Sequence, residues 1–234
     1  MVTFHQRFGL IWMIGDKMKA VILCGGEGTR LRPYTYSMPK PMLRLGSRPI
    51  LEYILLNLKR NGIRDVILTV GYLHEKIVDY FGDGSKLDMN IEYATEREKL
   101  DTAGSVYAIR DKLDDTFFVG MGDHLTSINI RRMVEFHKEK GNMATIAFKL
   151  QGTPIEYGIA EIEDDTVKSF KEKPILSNYI NAAMYVFEPK IFDYMKEKED
   201  FSKHLFPRLL ERGVTISAYV FTEFWADIGR VKDY

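Results

Sequence analysis

Residues 21–33 read V-I-L-C-G-G-E-G-T-R-L-R-P, an apolar run that breaks into glycines and then into two arginines and a proline. Apolar residues without polar alternation, cut off by glycine, predict a buried strand that ends in a loop. Two familiar glycine-loop patterns fail on spacing. A dinucleotide fingerprint from Gly26 needs glycine where Leu31 stands and an acid near Arg48; a Walker loop from Gly25 needs glycine where Arg30 stands and a following Lys-Ser or Lys-Thr. What remains is physical. Glycines let backbone N–H groups approach an anion closely, and arginine adds a planar, permanent positive charge. The loop reads as a cradle for a phosphate-rich ligand.

Working outward, apolar β-branched runs at 66–70, 91–94, 116–121 and 143–149 alternate with helical periodicity at about 49–61, 73–81, 102–113 and 129–140. This rhythm predicts an α/β fold, a Rossmann-like, mostly parallel sheet with helices on both faces and ligand at the carboxyl ends of its strands. Past residue 150, Y-G-I-A-E-I-E-D-D-T-V-K-S-F-K-E-K-P predicts a β-hairpin added to that sheet, turning at E-D-D-T. A last strand is expected in V-T-I-S-A-Y-V. Residues 1–17 read as an extension or a start-site artefact, since Met18 directly precedes the first strand; residues 18–234 read as one catalytic domain.

The chain has 234 residues, with 33 Lys plus Arg against 33 Asp plus Glu, so its formal net charge is zero. That removes the electrostatic case for nucleic acid as a partner. No stretch has the length and apolarity of a membrane span, so no membrane partner is expected. Apolar content of 45% supports a sizeable core. The single cysteine, Cys24, allows no internal disulfide and fits a reducing, cytoplasmic location. The histidines show no metal-ligand spacing. His5, His74, His137 and His204 are expected at the surface, and His124 is expected to point away from Asp123 if the strand continues through both.

The run G-G-E-G-T-R-L-R-P-Y-T-Y-S-M-P-K-P-M-L (25–43) resembles the signature of the sugar-1-phosphate nucleotidyltransferases. So, in the same order, do L-D-T-A-G-S (100–105), F-V-G-M-G-D (118–123), Y-G-I-A (157–160), F-K-E-K-P (170–174), I-N-A-A-M-Y-V-F-E-P (180–189) and F-W-A-D-I-G (224–229). The resemblance implies nucleotidyl transfer: a sugar 1-phosphate oxygen attacks the α-phosphorus of a nucleoside triphosphate, and pyrophosphate leaves. Its partners would be those two substrates, with a homo-oligomer left open. Arg30 would neutralise the triphosphate, with Gly25, Gly26 and Gly28 giving backbone approach, and Lys40 would stand near the α-phosphate. Lys173 would hold the sugar phosphate, with Glu172, Gly158 and Asn181 completing the sugar pocket. Asp123 and Asp227 would bind Mg²⁺, whose hard charge suits carboxylate oxygens. Glu96 and Glu98 would lie near the nucleobase, with Gly104 letting backbone approach it.

The chain departs from the family pattern in several places. Asp101 replaces a glycine near the nucleoside site, Ala183 a glycine in the sugar pocket, Arg48 a lysine and Arg230 a threonine. Mannose or glucose 1-phosphate and GTP, dTTP or UTP are the substrates expected, with a lean toward the mannose-type guanylyltransferases. An inactive sensor or regulatory subunit on the same fold is the alternative, but it would be expected to lack Arg30, Lys40, Lys173 or an aspartate. Cytidylyl transfer to another phosphorylated molecule fits the loop and fits the sugar motifs less well.

Overall fold

The computed structural model describes residues 18–234, so the reading of 1–17 lies outside the described residues. Strand β1 (Lys19–Cys24) is buried at every position after Lys19. After the glycine loop come single 3-10 turns and the minimal pair β2 (Arg44–Leu45) and β3 (Arg48–Pro49). The expected alternation follows: α1 (Ile50–Arg60), β4 (Asp65–Val70), α2 (Glu75–Phe81), β5 (Asn90–Thr95), α3 (Asp101–Tyr107) and β6 (Phe117–Met121). Then come β7 (His124–Thr126), α4 (Ile130–Lys140), β8 (Ala144–Pro154), β9 (Ile159–Glu163), β10 (Thr166–Lys171), β11 (Ile175–Phe187), α5 (Phe206–Glu211), β12 (Ser217–Phe221) and β13 (Trp225–Asp227).

Seven strands form the main sheet in the order β12-β8-β11-β6-β1-β4-β5. All run in one direction except β11, which is antiparallel to both neighbours. The unbroken apolar character of β1 has a direct cause. Ala20, Ile22 and Cys24 pack into the core under α1 and α4, while Val21 and Leu23 pack into the core under α3 and residues 201–209. Each large aliphatic side chain so buried contributes about 1.5–3 kcal/mol, so a strand covered on both faces has no position for a polar residue.

Three expectations need correction. The hairpin β9–β10 is a separate two-stranded sheet and does not join the main one. Both sides of β11 are already paired in the main sheet; β8 and β11 run on outward as a ribbon, Leu150 opposite Tyr179 to Pro154 opposite Ile175, and carry the hairpin into solvent. Helical structure in 102–113 stops at Tyr107 and resumes only as a turn at Arg110–Lys112. His137 is not at the surface: it is 1% exposed, its ring bonded to Thr145 Oγ1 at 2.7 Å and Glu188 Oε1 at 3.0 Å. Among the described residues, no helix is long and apolar enough to cross a membrane.

Candidate active site

Strands β1 and β6 are parallel neighbours, so the glycine loop and the residues after Met121 open at the same sheet edge. Gly122 joins them: its N–H donates to Leu23 O at 2.9 Å, and a Cβ there would lie 2.5 Å from Cys24 Sγ. Only glycine lets the next residue, Asp123, turn in against the loop. Cys24 itself is buried, and burial pushes its thiol pKa up, leaving a protonated packing residue.

Asp227 arrives from the other end of the chain. Strand β13 pairs antiparallel with β7, setting Asp227 opposite His124, and the Ile228 N–H donates to Asp123 O at 3.2 Å. The buried Lys40 enters from the loop side, packed against Gly28; its ammonium donates to Asp123 Oδ2 and lies 3.7 Å from Asp227 Oδ1. Gly28 has φ +63, and a Cβ would meet Thr35 Cγ2 at 2.9 Å, so its glycine is required on both counts. Arg30 is exposed and has no ion pair among the described residues, whereas Arg32 is held by Glu27 at 3.5 Å and by the Tyr36 ring.

His124 contradicts the sequence reading. Strand β6 ends at Met121, the chain turns through Gly122–Asp123, and β7 begins at His124, so strand alternation does not carry across. His124 Nε2 points at both carboxylates, 3.7 Å from Asp123 Oδ1 and 3.5 Å from Asp227 Oδ1, contacts that are ionic rather than hydrogen-bonded. Burial works against charge on this ring, but the two aspartates outweigh it and raise its pKa. The Asp227 carboxyl is held below its ordinary value, first by the His124 ring, then against burial by the charges of Lys40 and Arg30. Asp123 Oδ1 and Asp227 Oδ1 are nevertheless buried without a hydrogen-bond partner. Buried anionic oxygens left without a hydrogen bond are costly, and a divalent cation would answer both. The residues present fit a metal.

The structure separates the two glutamates expected near the nucleobase. Glu98 lies at the surface, paired with Lys198 at 2.6 Å. It is Glu96 that reaches the loop: a Cβ on Gly25 would lie 3.1 Å from its Oε2, and its Oε1 is buried without a partner. Burial raises the Glu96 pKa, opposed by the hydroxyls of Ser105 and Thr69. Gly104 does allow a close backbone approach, but to residues 197–198 of the same chain, since a Cβ would lie 2.3 Å from Glu197 O.

Gly158, Glu172 and Lys173 gather at the open end of the hairpin, where Ile159 pairs with Lys171. A Cβ on Gly158 would come 2.4 Å from Phe170 Cζ and 2.8 Å from Glu172 Oε2. Lys173 is exposed, at φ 43. Asn181 clamps an arch in β11: its amide donates to Tyr185 Oη and Ser202 Oγ, both at 3.1 Å, and its Oδ1 accepts from Ala183 N at 2.8 Å. The arch shifts the β11–β8 register and presents the Ala182 carbonyl to His124 Nδ1 at 3.2 Å and Trp225 Nε1 at 3.1 Å. The strand bearing Asn181 is thereby fastened to the carboxylate cluster. Nothing in the sequence pattern announced that carbonyl.

Residues 19–234 match the nucleotidyl transferase family. The chain is 36% identical over 238 residues to the UTP–glucose-1-phosphate uridylyltransferase of Synechocystis sp., covering 93% of this chain and 61% of that protein. It is 38% identical over 228 residues to a rice protein named as a mannose-1-phosphate guanylyltransferase 1, covering 93% of this chain and 63% of the relative. It thus spans under two thirds of the length of these curated relatives. The solved structure of HddC from Yersinia pseudotuberculosis complexed with GMP-PN superposes with a TM-score of 0.71 at 26% identity, covering 93% of this chain and 96% of the other.

Proposed function

The chain belongs to the nucleotidyl transferase family, and on that premise we propose that it joins a nucleoside triphosphate to a hexose 1-phosphate, forming a nucleotide sugar and pyrophosphate. One observation carries the reading: a glycine loop whose Arg30 has no ion pair among the described residues opens at the same sheet edge as the Lys40–Asp123–Asp227 cluster. The attacking phosphate oxygen is already an anion, so the chemistry asks for no general base. It asks for two polyanions to be aligned and for charge on the departing pyrophosphate to be stabilised. Arg30, with no ion pair among the described residues, would take that charge, and the backbone at Gly25, Gly26 and Gly28 would admit the phosphates. Lys40 would neutralise the α-phosphate. Asp123 and Asp227 would hold a divalent cation, Mg²⁺ being the ion that hard oxygen ligands and phosphates commonly share; it would supply charge neutralisation to the phosphates.

Glu96 favours guanine. A carboxylate beside the loop offers two acceptors, which match the adjacent N1–H and N2–H₂ donors of guanine; uracil and thymine present one N–H flanked by carbonyls that a carboxylate repels. The guanylyltransferase name of the rice relative points the same way, and with it mannose 1-phosphate as the sugar. At the hairpin end, Lys173 would pair with the sugar phosphate and Glu172 with sugar hydroxyls, with Gly158 and the Asn181 arch shaping the pocket. The one buried cysteine suits a cytoplasmic setting.

The test is pyrophosphate release over a grid of GTP, ITP, UTP, dTTP, CTP and ATP against mannose and glucose 1-phosphates. GTP with mannose 1-phosphate should be fastest, with ITP, which lacks the 2-amino group, about tenfold or more slower for loss of a charged hydrogen bond. Equal rates with GTP and UTP would remove Glu96 as the base reader. No pyrophosphate from any pair would overturn the activity.

A further inference from the structure

We propose that His124 is a third ligand of the metal centre, making it a two-carboxylate, one-imidazole site that prefers Mn²⁺ or Co²⁺ to Mg²⁺. The inference rests on the reading of Asp123 and Asp227 as the metal carboxylates and adds a donor and a selectivity to it. His124 Nε2, Asp123 and Asp227 each offer a ligand atom, and these all lie within 4.8 Å of one another. Donors about 2.1 Å from a common ion, at octahedral to tetrahedral angles, stand roughly 3.0–3.4 Å apart. The imidazole nitrogen is 3.5 Å from Asp227 Oδ1 and 3.7 Å from Asp123 Oδ1, so on those two edges closing on an ion needs movements of a few tenths of an ångström. The two oxygens that face the ring are the ones buried without a hydrogen-bond partner.

The ring is built to ligate. Its Nδ1 faces the Ala182 carbonyl at 3.2 Å, which can only accept, so Nδ1 carries hydrogen and Nε2 is the atom left to face the carboxylates. A metal ion takes the place of any proton there. Trp225 meets the ring edge-on, 5.3 Å between centroids at 87°, and donates to the same Ala182 carbonyl, so orientation is fixed by packing as well. The Lys40 ammonium donates to Asp123 Oδ2 and lies 3.7 Å from Asp227 Oδ1, but it leaves Asp123 Oδ1, on the ring side, without a hydrogen bond among the described residues. The two carboxylates and one ammonium leave negative charge for a divalent ion to balance. Mg²⁺ takes oxygen ligands and keeps its waters, whereas an imidazole nitrogen moves preference along the transition series.

The experiment is pulsed EPR of Mn²⁺ with the ¹⁵N-labelled protein and inorganic pyrophosphate, beside Mn²⁺ and Mg²⁺ affinities of the wild type, His124→Asn and Asp227→Asn. The wild type should show hyperfine coupling to a coordinated imidazole ¹⁵N. His124→Asn should lose it, and should weaken Mn²⁺ about tenfold or more, in the range that losing a supporting group costs a metal site, while Mg²⁺ changes less. Mn²⁺ binding that Asp227→Asn abolishes, with ³¹P coupling but no imidazole coupling, would overturn the His124 ligand and leave the carboxylate reading standing. Mn²⁺ binding indifferent to Asp227→Asn would overturn both. The coupling is read on the wild type, so misfolding of a variant cannot hide the answer.

Discussion

Glu96→Gln should raise the melting temperature of the ligand-free protein at neutral pH while lowering its selectivity for GTP. In the free protein a carboxylate is half-buried beside Gly25 with Oε1 lacking a partner, and burial raises its pKa. Glutamine keeps the acceptor but removes the charge, and a buried charged atom costs more than a neutral one; the difference is about 1 kcal/mol for a side chain that partly meets solvent. That corresponds to a rise of about 2–4 °C for a chain of this size. The sign follows from linkage. A carboxyl whose folded pKa lies above its unfolded value binds its proton more tightly when folded, so the wild type gains stability as pH falls through the raised value. The advantage of the glutamine variant is therefore widest at neutral pH and closes as pH falls toward 4.5, the ordinary value. With substrate the sign reverses: an amide offers one acceptor where guanine presents two donors, so kcat/KM for GTP should fall about ten- to a hundredfold, with UTP nearly unchanged. Melting curves from pH 5 to 8 and pyrophosphate release with GTP, ITP and UTP decide it. A variant that melts no higher than wild type at pH 7 and keeps the GTP-to-ITP ratio would refute both the strain and the reader.

Asp227→Asn should lower kcat roughly 10²–10³-fold with the fold intact by circular dichroism, and adding Asp123→Asn should cost far less than the product of the single effects, since both serve one ion. Lys173→Ala should raise KM for the sugar 1-phosphate more than for the triphosphate, while Arg30→Ala should mainly depress kcat; steady-state kinetics in both substrates separates the two. Ala183→Gly should stabilise by about 1 kcal/mol in urea denaturation, because Ala183 sits at φ 52, where a Cβ is strained and glycine is not. His137, whose pKa burial lowers against the pull of Glu188, should make stability fall as pH drops below 6.5, its ordinary value, because the unfolded chain then takes the proton first; His137→Gln should flatten that part of the pH–stability curve.

The parallel half of the sheet was legible because its cause is local. Strands β1, β4 and β6 are buried on both faces, so each reads as a mainly apolar run, interrupted in β4 only by Thr69, and each helix between them shows its own stripe. Strand β11 hides because it passes through two environments: exposed from Ile175 to Tyr179, arched at Ala183 and buried from Met184 to Phe187. No single period describes it. The hairpin was visible as alternation, yet alternation cannot say which sheet a strand joins. Here both strands are exposed nearly throughout and pair only with each other.

The site was legible where a motif carries its residue and illegible where tertiary pairing does. Lys40, Asp123 and Asp227 were named from their motifs, and the structure brings their side chains together. His124 was misread because a one-residue rule of strand alternation was carried past Met121, where the strand stops; Gly122 in G-M-G-D was the signal that a turn begins. The departures from the family pattern divide by backbone geometry rather than by chemistry. Asp101 and Ala183, the two positions read from the sequence as replacing glycine, both have positive φ, 59 and 52. Both turns thus use the backbone region that glycine enters most readily, with aspartate accommodating it better than alanine. At residue 183 the strained arch presents the Ala182 carbonyl to His124, so the backbone that Asn181 clamps also aims a ring at the carboxylates.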